Sequence, residues 1–533
     1  MESDIIIVGA GSAGCVLAAR LSENPAVRVT LIEAGSRNSN IWLKIPAGYG
    51  RLFQIGGFHW AFATEEEPEL KGRTIPWPRG RVLGGSGAVN GLVFFRGMAA
   101  DYDRWASECG DEWSYRAVLP YFKKLETWAG KSSESRGGSG PIHIQEPSSL
   151  SAGAKAFLEA CTRLGFPRNP DANDGDIEGC CPVQMNVKRG WRSSTLGGYL
   201  VPALGRSNLR IVTDATVTRI LFQDRRATGV EMRGDDGSTQ RLGARQRVIL
   251  CAGAVGSPHL LLASGVGPAQ DLRSLQIPII AESTNVGRNL QDHMITRFAF
   301  QTQTAGTLNE IMASRTQKMI MGAQFLLRGT GPLGVSATEA ALFARALPDA
   351  KHAQLQFHFS NFRIDGKSYR LPPEPGFMFS FNQCRPESRG TIGLAGPNPM
   401  DRPKIKANYL SADHDRAVVV AGVKLALKIR MTPPFADLVK TTAFPEESLC
   451  NDDEILSFVR ENGTTVYHPV GTCRMGRQRE SVVDPTLAVR GVDGLSVVDA
   501  SVMPSLPSAN PQAATIMIAE RWVGLIGEKS LLG

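Results

Sequence analysis

The opening segment constrains this chain more than any other part of it. Asp4 to Val8 is a short apolar run, followed by the turn Gly9-Ala10-Gly11-Ser12-Ala13-Gly14. Cys15 to Leu21 then carries apolar residues at helical spacing, and the alternating run Val27 to Ile32 ends at Glu33. The pattern predicts strand, glycine turn, helix and strand, the start of a doubly wound α/β sheet. Each glycine has its own task. Gly9 permits the tight turn, Gly11 lets the backbone approach a pyrophosphate, and Gly14 lets helix and strand pack closely. With Ser12 and Ala13 at the helix N-terminus and Glu33 and Ala34 at the end of the second strand, the segment is predicted to hold a dinucleotide. Glu33 is placed to accept hydrogen bonds from an adenosine ribose. A glycine turn without a ligand is the competing reading, and the residues alone leave NAD and FAD both open.

At 533 residues the chain exceeds one ordinary core, so two closely joined domains are expected. Leu209 to Val212, Val217 to Phe222, Gly229 to Met232 and Arg247 to Leu250 read as a small β meander, returning through Cys251-Ala252-Gly253-Ala254 to a second glycine turn and a helix over Ser257 to Ala263. Between about 300 and 460 there are strand-like runs at Gln354 to Phe359, Phe377 to Phe381 and Thr391 to Leu394, then an amphipathic helix from Asp413 to Ile429. The expected division is a nucleotide domain over 1–299 with an excursion near 130–200, a substrate domain over 300–460, and a return to the first domain over 461–533. Leu495 to Asp499 and a final helix from Pro511 to Gly524 belong to that return.

Several function classes are disfavoured. The formal charge of +8 is modest for the length, and Lys and Arg are scattered, which is not a nucleic-acid footprint. A weak attraction to anionic membrane surfaces stays open. No stretch approaches the roughly 18 uncharged apolar residues of a membrane span, and the N-terminus has no cleavable apolar segment, so a cytoplasmic, at most membrane-associated, protein is expected. Nine cysteines at irregular spacing make no disulfide framework, and none joins histidines at zinc spacing, so no metal is expected. Cys180 and Cys181, being adjacent, receive no role.

Four further segments stand in order along the chain: Gly80-Arg81-Val82-Leu83-Gly84-Gly85-Ser86-Gly87-Ala88-Val89-Asn90-Gly91; Gly253-Ala254-Val255-Gly256-Ser257-Pro258 with Ser264 to Pro268; His468-Pro469-Val470-Gly471-Thr472-Cys473-Arg474-Met475-Gly476; and Val497 to Ser501 through Glu520-Arg521. Together they resemble the glucose-methanol-choline (GMC) oxidoreductases over nearly the whole chain, closest in look to bacterial FAD-dependent alcohol, choline and sorbose dehydrogenases. The resemblance implies a Rossmann-like FAD-binding domain with an inserted β meander, plus a substrate-binding domain of antiparallel sheet and helices. It makes FAD the cofactor. The FAD contacts it implies are Arg81, Gly84, Gly85, Ser86, Asn90 and Gly91 in the first signature, Val217, Ala252 and Gly253 in the middle, and Asp499, Ala500, Pro511 and Gln512 near the end. Gly84, Gly85 and Ser86 are expected to offer N–H groups to phosphate oxygens. Asp499 also reads as an ordinary strand-end acid. Some relatives bind the flavin through a histidine where this chain has Val89, so non-covalent FAD is expected.

Alcohol oxidation by hydride transfer needs a base for the hydroxyl proton. His468 occupies the family's catalytic histidine position, and Asn510 its second catalytic position. A neutral imidazole with an ordinary pKa of about 6.5 suits the task, with a rate rising through one ionisation in the histidine range. Asn510 followed by Pro511 is also ordinary capping grammar for the last helix. The positive N-terminus of that helix would favour negative charge on a reduced flavin. His293 and His358 read as structural. Glu339 lies in an otherwise uncharged run, so a pocket role is open, with an exposed or ion-paired acid preferred.

The expected reaction is oxidation of a primary alcohol to an aldehyde, with a small-molecule alcohol as substrate and a quinone, a dye-like acceptor or oxygen taking the electrons. A dehydrogenase is favoured over an oxidase. The alternatives are a flavin-bearing lyase and a fatty acid photodecarboxylase, the latter suggested by Cys384-Arg385-Pro386 and opposed by the retained His468 and Asn510. Neither the alcohol nor the oligomeric state is legible.

Overall fold

The computed structural model describes residues 2–37, 40–365, 370–445 and 449–530, with side chains described as far as 526. Strand Glu2–Val8 is buried after its first residue, as a near-continuous apolar run should be inside a parallel sheet. It pairs in parallel with Val29–Ile32 on one side and Thr239–Leu250 on the other. Thr239–Leu250 belongs to two structures at once. Its first half pairs antiparallel with Arg226–Gly234, which pairs in turn with Ala215–Gln223, and this is the inserted meander. Its last residues lie in the parallel sheet beside Leu495–Val497, which brings the C-terminal segment back into the first domain. Leu209–Val212 is not part of the meander. It pairs in parallel with Val29–Ile32 as the outer strand, where the Asn208 amide donates to the carbonyls of Ser22, Asn24 and Val27 and ties it down.

Helix Ser12–Leu21 follows the first turn, and the last helix, Gln512–Ser530, packs beside it. Arg20 and Lys124 both pair with the buried carboxylate of Glu520, at 2.8 and 2.9 Å. Burying that charge is tolerable because it is doubly paired.

A second sheet is antiparallel throughout. Its order is Val439–Phe444, Met294–Thr302, Gly376–Gln383, Leu355–Ser360, Ala340–Ala344 and Gly179–Pro182, and Thr464–Thr465 adds to Met294–Thr302. Its two faces differ in a strict period of two. Phe298, Phe300, Phe357, Phe359, Phe377, Phe379 and Phe381 join one apolar cluster with residues of the helices Ala152–Arg163 and Asp413–Met431. The alternate positions, Arg297, His358, Ser360, Met378 and Ser380, line a cavity.

This pairing moves the expected domain boundaries. Met294–Thr302 lies wholly in the second sheet, so a division at 299/300 cuts a strand whose partners are all in the substrate domain. Thr464–Thr465 pairs with the same strand, so the return to the first domain comes after it rather than at 461. The excursion near 130–200 supplies edge strand Gly179–Pro182, in which Cys180 and Cys181 are buried free thiols.

Candidate active site

A cavity of about 2120 Å³ runs from the first glycine turn to the polar face of the second sheet. At the nucleotide end the three glycines divide their work as the sequence suggests. Gly9 has φ +99°, and a Cβ there would lie 2.5 Å from the Cys251 carbonyl oxygen. A Cβ at Gly14 would lie 1.9 Å from the Gly9 carbonyl oxygen. Gly11 has nothing nearer than 3.9 Å and opens on the cavity, together with Ser12 and Ala13. Those residues begin a helix, whose first N–H groups have no partner within it. Glu33 is buried and lines the cavity. Its carboxylate accepts from the N–H groups of Ala10 (2.8 Å) and Gly35 (2.9 Å), and burial pushes its pKa up to about 7.

The turn at Gly84 and Gly85 differs from expectation. The N–H groups of Gly84 and Gly85 are already donated to the carbonyls of Ala10 and Val82, at 2.8 and 2.7 Å, so neither is offered to a phosphate. A Cβ at Gly85 would lie 2.7 Å from the Cα of Gly11. This turn therefore clasps the first, and glycine is needed for that close approach. Gly84 does not line the cavity, nor does Gly14, which packs beneath the turn; Gly85, Ser86, Asn90 and Gly91 do line it.

Ala34, Arg81, Val217, Ala252, Gly253, Asp499, Ala500, Pro511 and Gln512 also line the cavity. Arg81 stacks on Trp60 and pairs with Asp235 at 2.9 Å. Asn90 donates to Gln512 (2.6 Å) and accepts from Arg192 (2.7 Å), which joins the first signature to the last helix. Asp499 accepts from the Gly253 N–H, the Ser257 hydroxyl and the Ser501 N–H, at 2.8, 2.6 and 2.8 Å. Those bonds are the strand-end reading of Asp499: it ties helix Gly253–Ala263 to the turn after Leu495–Val497. The buried acid, the open Gly11 backbone and the helix N-terminus at one end of a long cavity suit a dinucleotide.

At the other end, His468 and Asn510 meet. The Asn510 amide nitrogen is 3.1 Å from His468 Nε2, and its oxygen accepts from the Gln356 side chain at 3.2 Å. Asn510 thus turns its amide to the site. His468 Nδ1 is 3.0 Å from His293 Nδ1, and His293 Nε2 is 2.9 Å from the Cys384 carbonyl oxygen.

These contacts determine the tautomers. A carbonyl oxygen only accepts, so His293 must carry its proton on Nε2 and leave Nδ1 bare. His468 must then donate from Nδ1, which leaves Nε2 without a proton, accepting from the Asn510 amide N–H. Burial, then the proximity of His293, His358 and Arg79, holds the His468 pKa well below the ordinary histidine value. Burial likewise takes His293 and His358 to about 4. All three are neutral at neutral pH, and the ionisation expected in the histidine range is displaced to acid.

The loop bearing His468 is held from behind. Tyr467 has φ +68°, a backbone conformation costly for a bulky residue. Asp292 accepts the His468 N–H at 2.7 Å and the Thr465 hydroxyl at 2.6 Å, and the Tyr409 hydroxyl also donates to it. Burial pushes Asp292 up to about 6. His293 does more than fill the core: it fixes the His468 ring from Nδ1.

Sequence reasoning passed over Asp292, Gln356 and Asn382, the last of which accepts at 3.2 Å from His358, a residue read as structural. The signal was the alternation of aromatic and polar residues in Gln356-Phe357-His358-Phe359-Ser360 and Phe379-Ser380-Phe381-Asn382. Glu339 lines the cavity, is largely buried, and accepts from the Ser151 N–H at 2.8 Å, with its pKa raised by burial. Among the described residues no group of His, Cys, Asp and Glu could hold a metal ion.

Known proteins are similar to this chain over nearly its whole length. The N-terminal and C-terminal models of the GMC oxidoreductases match residues 3–295 and 386–519. An alcohol dehydrogenase [acceptor] of Pseudomonas putida is 37% identical over 528 residues, 99% of this chain and 96% of the relative. An oxygen-dependent choline dehydrogenase of Vibrio vulnificus is 37% identical over 535 residues, 99% of this chain and 95% of the relative. The crystal structure of pyridoxine 4-oxidase from Mesorbium loti superposes with a TM-score of 0.89 at 31% identity, covering 98% of each chain.

Proposed function

This chain belongs to the GMC oxidoreductase family of FAD-binding flavoproteins, and on that premise we propose that it oxidises a primary alcohol to an aldehyde with His468 as the base. Bound FAD supplies the acceptor for the hydride. The observation that carries the reading is the hydrogen-bond chain from the Cys384 carbonyl through His293 to His468, which leaves His468 Nε2 bare beside Asn510 at the cavity wall.

On this reading the alcohol hydroxyl approaches from the cavity side, donates to His468 Nε2 in place of the Asn510 amide N–H, and accepts that N–H on its oxygen. His468 Nε2 accepts the hydroxyl proton, and the resulting imidazolium keeps its Nδ1–H on His293 Nδ1. Asn510 orients the substrate oxygen and is itself held by Gln356. The low pKa of His468 keeps the base form populated at neutral pH, at the cost of some basicity. Gly9, Gly11, Ser12, Ala13, Glu33, Ala34, Arg81, Gly85, Ser86, Asn90, Gly91, Val217, Ala252, Gly253, Asp499, Ala500, Pro511 and Gln512 would hold FAD, with Gly14 and Gly84 shaping its turns. Val89 is a buried cavity residue with no nucleophile, so FAD is held without a covalent bond.

Leu308, Met312, Met321, Leu333, Phe362 and Ile364 line the substrate end and suit a medium-size aliphatic or aromatic alcohol. Arg297, Lys318 and Arg370 line it too, which disfavours a cationic alcohol such as choline. We assign a quinone or dye-like acceptor ahead of oxygen, in keeping with the Pseudomonas putida relative.

The test is anaerobic mixing of the flavin-loaded protein with aliphatic, aromatic, polyol and cationic alcohols, with turnover then followed using phenazine dye and, separately, oxygen. Bleaching of the flavin by a neutral primary alcohol, with aldehyde formed, is expected. Retention of the oxidised spectrum with every class would overturn the reading.

A further inference from the structure

Helix Arg315–Arg328 is apolar on two faces, and the fold uses only one of them. Met321 and Phe325 are buried, Phe325 edge-on to Trp191 with ring centres 4.8 Å apart. The helix ends are well made: Ser314 accepts the Gln317 N–H, and Gly329 closes the C-terminus in the left-handed conformation at φ +65°. The opposite face carries Thr316, Met319, Ile320, Ala323, Leu326 and Leu327, at the spacing of a single helical stripe. Met319, Ile320, Leu326 and Leu327 are 76, 61, 76 and 84% exposed. An unused apolar stripe this contiguous marks an interaction surface rather than scattered surface residues.

We propose that this helix docks the protein on the surface of a bilayer containing anionic lipid. Two observations select that occupant. The charged residues of the helix are Arg315, Lys318 and Arg328, with no acid among its fourteen residues, and the chain carries a net charge of +8. A helix with an exposed apolar stripe and cations but no acids has the composition of one that lies in the headgroup region of an anionic surface. A second copy docked on the same stripe would bring like charges together, which such a contact disfavours.

The second observation is continuity with the cavity. Lys318, Met321 and Gly322 of this helix line the cavity, and so do Met312, on the preceding helix Leu308–Ala313, and Phe53, on helix Tyr49–Ile55, both exposed. Residues that line the cavity and are also exposed stand at its rim, so the docking helix forms part of that rim. Among the described residues no helix is long and apolar enough to cross a membrane, so the protein would lie on the bilayer. On the alcohol-oxidising reading, which this corollary alone rests on, an apolar alcohol dissolved in the bilayer would enter without crossing bulk water.

Vesicle flotation of the full flavin-loaded chain tests the docking without requiring turnover. Wild type should float with phosphatidylcholine vesicles containing phosphatidylglycerol, and much less with phosphatidylcholine alone. Leu326→Glu with Leu327→Glu should weaken flotation by more than about tenfold, and Arg315→Gln with Arg328→Gln should weaken it while flattening its salt dependence. Neither pair lines the cavity, so flavin content should not change; if the Glu pair loses flavin, Leu326→Ser with Leu327→Ser replaces it. The proposal is overturned if wild type stays with the unbound fraction, or if the leucine variants float as well as wild type. It is also overturned if wild type is a dimer that the leucine variants dissociate, which would give the stripe to a second copy.

Discussion

Replacing His293 with phenylalanine isolates the part of the site that neither touches substrate nor binds flavin. Wild-type His293 accepts the Nδ1–H of His468 and anchors itself on the Cys384 carbonyl, at 3.0 and 2.9 Å. Phenylalanine fills most of the volume and removes the acceptor. The Nδ1–H of His468 would then be a buried donor with no partner, a loss of about 1–3 kcal/mol. His468 relieves it by moving the proton to Nε2, the atom required bare, while Asn510 turns its amide oxygen to meet it. The base-competent fraction should fall by roughly 5- to 150-fold. Stopped-flow reduction of the flavin by an alcohol should slow by that factor, with flavin content unchanged and substrate affinity changed much less. His293→Gln retains an acceptor for His468 and a donor for Cys384, so it should recover much of the rate. A phenylalanine variant at the wild-type rate, or a glutamine variant no better than phenylalanine, would refute the tautomer argument.

Gly11→Val places a branched side chain where the structure leaves open space toward the cavity, and should purify folded but without yellow colour; full flavin occupancy would contradict the nucleotide site. Because the His468 pKa is depressed, its unprotonated form persists to lower pH. Flavin reduction should therefore be flat through neutrality and fall only in acid, below about 6.5; a half-maximal rate at pH 7 or above would show that another group titrates. Asp292→Asn removes the charge that holds the His468 N–H beside strained Tyr467, and should lower the melting temperature and slow reduction together, whereas loss of rate at unchanged stability would give Asp292 a different role. Glu339→Gln keeps an acceptor for the Ser151 N–H, so an unchanged apparent Michaelis constant for every alcohol would assign Glu339 to structure alone.

The nucleotide half of the molecule was legible because its demands are local. Gly9 turns the chain at φ +99° and Gly14 lets the helix meet that turn within one strand–helix unit, and Glu33 follows from the length of that unit. The clasp of Gly85 over Gly11 was not legible as such, because the two turns are far apart in the chain and only the fold shows that the Gly84 and Gly85 N–H groups are already used. His468 and Asn510 were candidates by resemblance, and the structure brings their side chains together. The chain that orders them was not legible, because His293, Cys384 and Gln356 come from different strands or strand ends and converge only when the second sheet forms. The boundaries at 299 and 461 failed for a related reason. Met294–Thr302 carries no local mark of which sheet it joins, and pairing with Gly376–Gln383 decides it.

On the proposed mechanism His468 removes the hydroxyl proton. The most direct test is the anaerobic rate of flavin reduction in His468→Ala, measured at equal flavin content with the best alcohol found. The nucleotide turns and Glu33 lie at the far end of the cavity, so FAD should remain bound, while the rate should fall by about 10²- to 10⁴-fold and lose the acid limb expected of wild type. A variant that reduces its flavin at nearly the wild-type rate with the same pH profile would contradict the account and place the base elsewhere.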